Sequence, residues 1–506
     1  MDAPERPFPP GSYPVLVIGS GPGGLQLSYG LRRHGVEHAV ISADEGPGGM
    51  FLRWPFFQRL LSWTKPYAPV ERGTREYERY DWNSLLADEP ELRSLQPGFL
   101  DGTSYFPSRP GMQQNLEAFA GRAAIRVRYR TRWERTRREE GPDGTTFVVE
   151  TTDGEYRCRV LVLAVGIAQP SSPATPGIEL ARHYAETRPA ETYAGRRVFI
   201  IGKQNSGFEL ASGLAPWASS ITVCSPSPAR TSVQTKSLVG VRARYVQPFE
   251  DAFLGLGARI LDASITGLTA VGDAIRVDLR RTNDGEAMCV EADEVIAATG
   301  FTCPLLDLPD LGVATFGASR LPAVTPFWES STVPGIYFAG TISQAAQGLR
   351  RHGVPANSGA VHGHRYNSLI LARHIAERRF GLTTQRPVVA PGDLVAYLLR
   401  EATSAPELWH QKAYLARVVT AGPDGMLRDE GIVPLAHVLD GQDADMVAMT
   451  IESDGKGGLY PVAYTRRSGV LAEHVLPSDP LLDYETPAHR AQLEAAVADL
   501  ATVAAR

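Results

Sequence analysis

Val15-Leu16-Val17-Ile18-Gly19-Ser20-Gly21-Pro22-Gly23-Gly24-Leu25 is the stretch that decides the fold. The apolar run reads as a buried parallel strand, and the glycines as the turn that feeds a helix. Gly19 allows the tight turn, Gly21 lets the backbone approach a pyrophosphate, and Gly24 lets helix and strand pack closely, with Pro22 and Gly23 completing the loop. Phosphates are expected on the positive end of that helix. The pattern recurs at Val198-Phe199-Ile200-Ile201-Gly202-Lys203-Gln204-Asn205-Ser206-Gly207. One such loop is weak evidence. Two, each after an apolar strand, predict a chain that holds two dinucleotides and moves electrons between them.

Strands further along fit the same plan. Val160 to Gly166 and Glu294 to Phe301, the latter through Thr299-Gly300, are expected where the chain crosses between a flavin domain and a nicotinamide domain. The late strand Val333 to Thr341 is expected to bring Gly340 beside the flavin. His38 to Ser42 should end at the adenosine ribose, where a carboxylate is usual. Here the contact stays open between Ser42 and Asp44. Gly46-Pro47-Gly48-Gly49 then turns the chain into an aromatic-rich run that includes Trp54 and is read as passing over the isoalloxazine. In the second half, Ile221 to Ser225 ends without an acid and is followed by Arg230, which suits a 2′-phosphate and so NADPH rather than NADH. Gln204 stands where the middle glycine is expected, so it either crowds the pyrophosphate or hydrogen-bonds it. Lysine is scarce, with five in the chain, and two of them, Lys65 and Lys203, fall in these segments.

The 506 residues suffice for two or three domains with cores of their own. A hydrophobic content of 43% and a charged content of 21% are those of an ordinary globular protein, and the net charge of −5 comes without a basic block. Nucleic acid is therefore not expected as a partner. Cys158, Cys224, Cys289 and Cys303 include no Cys-x-x-Cys, which argues against a disulfide framework, a zinc site and a redox dithiol; no metal ligand is assigned. No apolar stretch approaches membrane-spanning length, and a cytoplasmic protein without membrane contact is expected.

The predicted architecture is α/β, with two Rossmann-like domains and a small C-terminal α+β domain. Residues 1–188 form the first part of the FAD domain, 189–302 an inserted NADPH domain, 303–385 the second part of the FAD domain, and 386–506 a cap or packing domain. That last piece would serve a subunit interface if the chain is a homodimer. A helix is expected from Arg109 to about Gly121, and meander strands over 125–139 and 145–150. Most of the arginines from 126 to 138 should face solvent, with Arg132 kept as a cofactor contact. Asn357 opens a long helix to Arg379, capped by Gly381, whose positive end should face the flavin pyrimidine ring.

Three stretches carry a family resemblance: Tyr80-Asp81-Trp82-Asn83-Ser84-Leu85-Leu86, Asn205-Ser206-Gly207-Phe208-Glu209 and Ser358-Gly359-Ala360-Val361-His362-Gly363-His364-Arg365-Tyr366. With the loops, they make residues 12–385 resemble the class B flavin-dependent monooxygenases, and within these the branch of FAD-dependent oxidoreductase-domain proteins. The Baeyer–Villiger fingerprint is poorly met at Gly177 to Tyr184. The resemblance extends to bacterial amine oxidisers of natural-product (antibiotic) pathways, among them nitrosuccinate-forming L-aspartate N-monooxygenases.

The resemblance implies FAD and NADPH as cofactors and O2 as co-substrate. NADPH would pass hydride to flavin N5, O2 would add at C4a as a hydroperoxide, and an amine nitrogen would attack its distal oxygen. Lys65, Asn205 and Asn357 are the candidates for protecting that intermediate. A small carboxylated amine would need cationic clamps, and Lys236, Arg242, Arg244, Arg350 and Arg351 are the candidates. Oxidation at sulfur, Baeyer–Villiger chemistry and a non-oxygenating FAD oxidoreductase are the alternatives.

Overall fold

The computed structural model describes residues 6–53, 59–142, 144–228, 257–346, 348, 356–422, 424–441, 444–455 and 458–503. They belong to two compact units: Met1–Gly49 with Ser62–Gly166 and Leu305–Arg506, and Met50–Leu61 with Ile167–Pro304.

In the first unit, β1 (Gly11–Ile18), α1 (Pro22–Arg33) and β2 (His38–Ile41) make the predicted strand-loop-helix-strand, with the two strands parallel. Val15 to Ile18 are at most 5% exposed, because the strand is covered on both faces, which is why its sequence is continuously apolar. β5 (Gly154–Leu163) lies parallel on the other side of β1. Its far edge serves two partners: the first half pairs antiparallel with β4 (Gly144–Thr151), which continues to β3 (Trp133–Gly141), and the last three residues pair parallel with β17 (Ile336–Phe338). Residues 126–132, expected within a strand, instead run beside the end of β2, with Ser42 N–H on Arg128 O. The predicted helix is α3 (Arg109–Arg122), and Ser108 caps it by accepting the Gly111 N–H at 3.1 Å.

The long helix is α5 (Val361–Phe380), ended by Gly381 at φ +65°; its first turn begins four residues after Asn357. It crosses α1 closely, since a Cβ on Gly30 would stand 2.7 Å from Ala372 Cβ. Residues 386–506 form an antiparallel sheet in the order β18 (Val388–Val389), β20 (Leu427–Pro434), β19 (Leu415–Ala421), β21 (Met446–Ser453), β22 (Leu459–Arg467) and β23 (Val470–Val475). Its helices are α6 (Leu394–Ser404), α7 (Pro406–His410), α8 (Leu435–Asp440) and α9 (Pro487–Val503). One apolar core runs from Val15, Leu27 and Ile375 through Leu394 and Leu398 to Met449 and Leu493. The C-terminal piece thus shares the core of the first dinucleotide fold. A short ribbon, β15 (Thr315–Phe316) with β16 (Leu321–Pro322), completes this unit.

The second unit contains α2 (Met50–Arg53) and a seven-stranded sheet in the order β12 (Ala287–Ala292), β11 (Ala274–Arg281), β10 (Ala258–Val271), β9 (Ser220–Ser225), β8 (Arg197–Ile201), β13 (Glu294–Ala297), β7 (Arg182–His183). α4 (Asn205–Leu214) follows β8. Alongside, β6 (Gln169–Pro170) pairs antiparallel with β14 (Phe301–Thr302). The boundary expected at 188/189 is displaced to 166/167. Residues 167–188 join this unit because β7 extends its sheet and Gly177 packs on Leu268, where a Cβ would meet the carbonyl oxygen at 2.0 Å.

Candidate functional site

The glycines of the first loop divide by what surrounds them. Gly19 holds φ +116°, and a Cβ there would meet Ala164 O at 2.5 Å; a Cβ on Gly24 would meet Gly19 O at 2.0 Å. Protein backbone alone accounts for these two. At Gly21, in contrast, a Cβ would find no atom within 4 Å. Gly21 is the N-cap of α1 and has no side chain to satisfy the first-turn N–H groups. Pro22 opens the helix without wasting a donor. Open space above uncapped N–H groups is what a pyrophosphate requires. Gly49 approaches Gly21, its Cβ position lying 3.2 Å from Gly21 Cα, and Gly340 approaches Gly23. The loop, the Gly48-Gly49 turn and the end of β17 therefore converge. Gly166, at φ +67°, faces open space just after β5.

At the end of β2, Ser42 and Asp44 lie side by side. Ser42 is buried, its hydroxyl accepting from Ser20 Oγ at 2.9 Å and from the Asp44 N–H at 3.2 Å. Asp44 is half-buried, with Ser42 Oγ 3.2 Å from its Oδ2. Ser42 thus lies against the Asp44 carboxylate. Arg132 is exposed, one residue after Thr131, whose N–H donates to Ser42 O.

The motif stretches 80–86 and 358–366 meet at the N-terminus of α5, whose N-cap is Ala360, a residue with no capping group. Arg365 is fully buried and donates from Nη1 to Asp81 O at 2.8 Å and Ser84 O at 2.7 Å. Tyr366 donates to Glu78 Oε2 at 2.8 Å. The Trp82 ring centroid lies 4.2 Å from that of His362 and 3.7 Å from that of Trp63. His362 and His410 are both held neutral, chiefly by burial, which pushes each imidazole well below its usual range. This polar web was not foreseen; the pairing of the two motifs was its only sequence signal. Asn357 is spent on it, its Nδ2 donating to His410 O at 2.7 Å. Lys65 is exposed, while its backbone accepts from Tyr77 OH and donates to Tyr80 O.

The second loop repeats the first in its backbone. Gly202 has φ +119°, with Ala298 O 2.4 Å from its Cβ position, and a Cβ on Gly207 would meet Gly202 O at 2.1 Å. Gln204 takes the place of Gly21 as N-cap of α4; it is exposed and makes no capping hydrogen bond. Asn205 and Ser206 follow, half-buried, in the first turn. Lys203, a candidate cofactor residue by its place in the loop, is turned away from the loop's open side. Its side chain is 1% exposed, donates to Leu261 O at 2.8 Å and pairs with Asp262, tying the loop to β10. Ser225 is half-buried at the end of β9. Thr299 Oγ1 donates to Ser171 O, and Gly300 O accepts from the Ser171 N–H and from His183 Nε2, so this turn is braced by the ribbon beside it. Trp54, Arg230, Lys236, Arg242, Arg244, Arg350 and Arg351 lie outside the described residues.

Among the described residues no helix is long and apolar enough to cross a membrane. All four cysteines are free; Cys158, Cys224 and Cys303 are buried, and burial raises each thiol's pKa, Cys224 to about 11 and Cys303 to about 12.

Comparison with known proteins places this geometry. The chain is 27% identical over 436 residues to the FAD-dependent oxidoreductase domain-containing protein 2 of Mus musculus, covering 80% of this chain and 64% of the mouse protein. Its fold matches the bacillithiol disulfide reductase of Staphylococcus aureus (17% identity, TM-score 0.55, 73% of this chain and 99% of that one). It also matches the ornithine N-hydroxylase of Kutzneria sp. 744 (18% identity, TM-score 0.53, 73% of this chain and 100% of that one). At these identities the two structures speak for the fold alone. The profile of the pyridine nucleotide-disulphide oxidoreductases matches residues 16–340. The chain belongs to that family of oxidoreductases, and its cofactors are FAD and NADP.

Proposed function

We propose that the protein is an FAD- and NADPH-dependent monooxygenase that oxidises the amine of a small polar substrate, an amino acid such as L-aspartate, toward a nitroso or nitro product. The observation that carries the reading is the state of the cysteines. A disulfide reductase of this family needs a thiol pair to receive electrons. Here the four cysteines are scattered, and three are buried with their protonated forms favoured. The outlet we propose for electrons taken from the nicotinamide is O2.

The roles fall to the residues as follows. The backbone of Gly21, Gly23 and Gly24 and the first turn of α1 would hold the FAD pyrophosphate, with Asp44 accepting from the ribose hydroxyls. Bound flavin supplies the redox chemistry. The uncapped N-terminus of α5, backed by neutral His362 and Trp82, offers positive backbone dipole without a mobile proton. Gly202 and the first turn of α4 would receive the NADP pyrophosphate. The clamp for a substrate carboxylate is proposed at Lys236, Arg242, Arg244, Arg350 and Arg351.

The test is turnover of FAD-loaded protein with NADPH and 18O2 over a panel of amino acids. Labelled oxygen on the amine nitrogen, one atom in a nitroso product and two in a nitro product, with NADPH consumption matched to the oxidation steps, supports the reading. Stoichiometric peroxide with every amine overturns it. A second reading, a non-oxygenating FAD oxidoreductase, draws on exposed Gln204 in the nicotinamide loop, and peroxide or reduced-acceptor formation alone would favour it.

A further inference from the structure

The C-terminal sheet has two unlike faces. Leu415, Val419 and Met449 join the shared core, whereas Val418, Met446 and Ala448 pack with Leu435 and Val438 of α8. Between that second face, α5 and residues 325–329 lies a cleft of about 950 Å³. Its wall includes no residue of either glycine loop.

Charge in this cleft does not balance. The carboxylates are Glu329, Glu377 and Glu430. Glu329 is taken by Arg379 and by the Gly335 N–H at 2.7 Å, while Glu377 and Glu430 both hold Arg386, at 2.8 and 2.5 Å. Three lining guanidiniums remain without an ion pair among the described residues. Arg373 donates to Glu430 O and Ile432 O, both at 2.9 Å. Arg466, 5% exposed, donates to Val438 O. Arg378 is exposed on the neighbouring surface of α5. Carbonyl oxygens satisfy N–H groups but cancel no charge; Arg373 is opposed at longer range by Glu377 and Glu430, each already held by Arg386, so the cleft keeps a cationic excess, which is costly where it is partly dry.

The imidazoles in the same wall feel this field. His374 stacks on Phe327 with ring centroids 4.1 Å apart, and His437 meets the same ring at 4.8 Å. Burial, followed by the charges of His437, Arg379 and Arg378, pushes His374 down to about 4. His437 is lowered by burial, with the Asp440 carboxylate pulling it up and, more weakly, Arg466 pushing it down.

We propose that this cleft binds a compact polyanion, a small molecule carrying two or more phosphate or carboxylate charges, between Arg373, Arg378 and Arg466. Guanidiniums already fixed by carbonyls present their remaining N–H groups in a set geometry, which favours bidentate anion contacts. The site does not depend on the monooxygenase reading and would serve a reductase equally.

The test is calorimetric titration of the FAD-loaded full chain with inorganic pyrophosphate and, in parallel, citrate, at low and high salt. Saturable binding of at least one probe, weakened by salt, is expected. Pyrophosphate alone would mark a phosphate ligand, and citrate alone a carboxylate ligand. Arg378→Gln, at an exposed helix position that leaves the fold intact, should weaken binding about tenfold. In histidine-labelled protein the bound anion should raise the pKa of both His374 and His437, read by NMR. Absence of saturable binding by both probes overturns the proposal. So does binding that is unchanged in Arg378→Gln, or that leaves both histidine titrations where they were.

Discussion

Gly23 and Gly340 meet backbone to backbone: a Cβ on Gly23 would lie 2.2 Å from the Cα of Gly340. The contact locks the first-loop helix to the end of β17, two elements more than 300 residues apart in sequence. Gly21, two residues earlier, touches nothing on that side. Alanine at the two sites should therefore separate folding from cofactor binding. Gly23→Ala should destabilise the FAD-free protein by about 1–3 kcal/mol through overpacking. Gly21→Ala, at φ −72°, should leave FAD-free stability unchanged and weaken FAD retention. Denaturant melts of both apoproteins, with flavin release measured by fluorescence, check the pair. Equal loss of stability in both would show that Gly21 serves the fold and not a cofactor.

The carboxyl of Glu78 supplies a pH signature. Burial raises its pKa from 4.5 to about 7, against the opposing pull of Arg365. Between those values the folded chain keeps a proton that the unfolded chain has released. The group's contribution is therefore complete below pH 4.5 and is lost as pH rises through about 7, at up to about 1.4 kcal/mol per pH unit. Glu78→Gln should flatten this part of the stability profile. A profile with the same slope in the variant would remove Glu78 as its source.

Arg75 joins the motif region to the C-terminal helices. It holds Glu401 at 2.7 Å and Glu407 at 2.8 Å, and Glu401 also receives Arg417 at 2.8 Å. Glu401 is 7% exposed and its pKa stays low despite burial, because the two arginines outweigh desolvation. Removing Arg75 leaves buried carboxylates short of a partner, which costs on the order of 3 kcal/mol. Arg75→Met should lower the denaturation midpoint accordingly, and Arg75→Lys less so. A midpoint equal to that of the parent would mean that Arg417 alone suffices.

The glycine loops were legible because their requirements are local: a positive φ or a backbone contact admits little but glycine, so Gly19, Gly24, Gly202 and Gly207 announce themselves. Lys203 drew notice as a cofactor candidate by its scarcity and position, which say nothing of where its side chain turns. The first loop held the better guide, since Ser20 occupies the equivalent place and is likewise turned inward; residues after the first glycine face the sheet in both copies. The partner Asp262 lies 59 residues away, beyond any short-range pattern. The fused C-terminal core was hidden for the same reason: periodicity reveals that Leu394 and Leu398 are apolar on one side, but not what covers that side. β7, two residues long, was too short to show that residues 167–188 belong with the second sheet.

Gln204 is the residue by which the two loops differ most. It stands at the N-cap of α4 as Gly21 stands at that of α1, exposed and with no side-chain bond to the helix it precedes. A flexible amide there occupies the approach that the pyrophosphate needs, and it must be displaced or re-bonded when NADP binds. Glycine is at least as good an N-cap as glutamine, so Gln204→Gly should leave stability within about 0.5 kcal/mol. It should lower the dissociation constant for NADP+ about tenfold, the worth of one recovered charge-assisted hydrogen bond. The FAD content should not change, because the substitution lies in the other loop. Equilibrium titration of NADP+ against the variant decides the matter. Weaker binding would assign the Gln204 amide as a phosphate ligand in its own right, a different solution to the same loop.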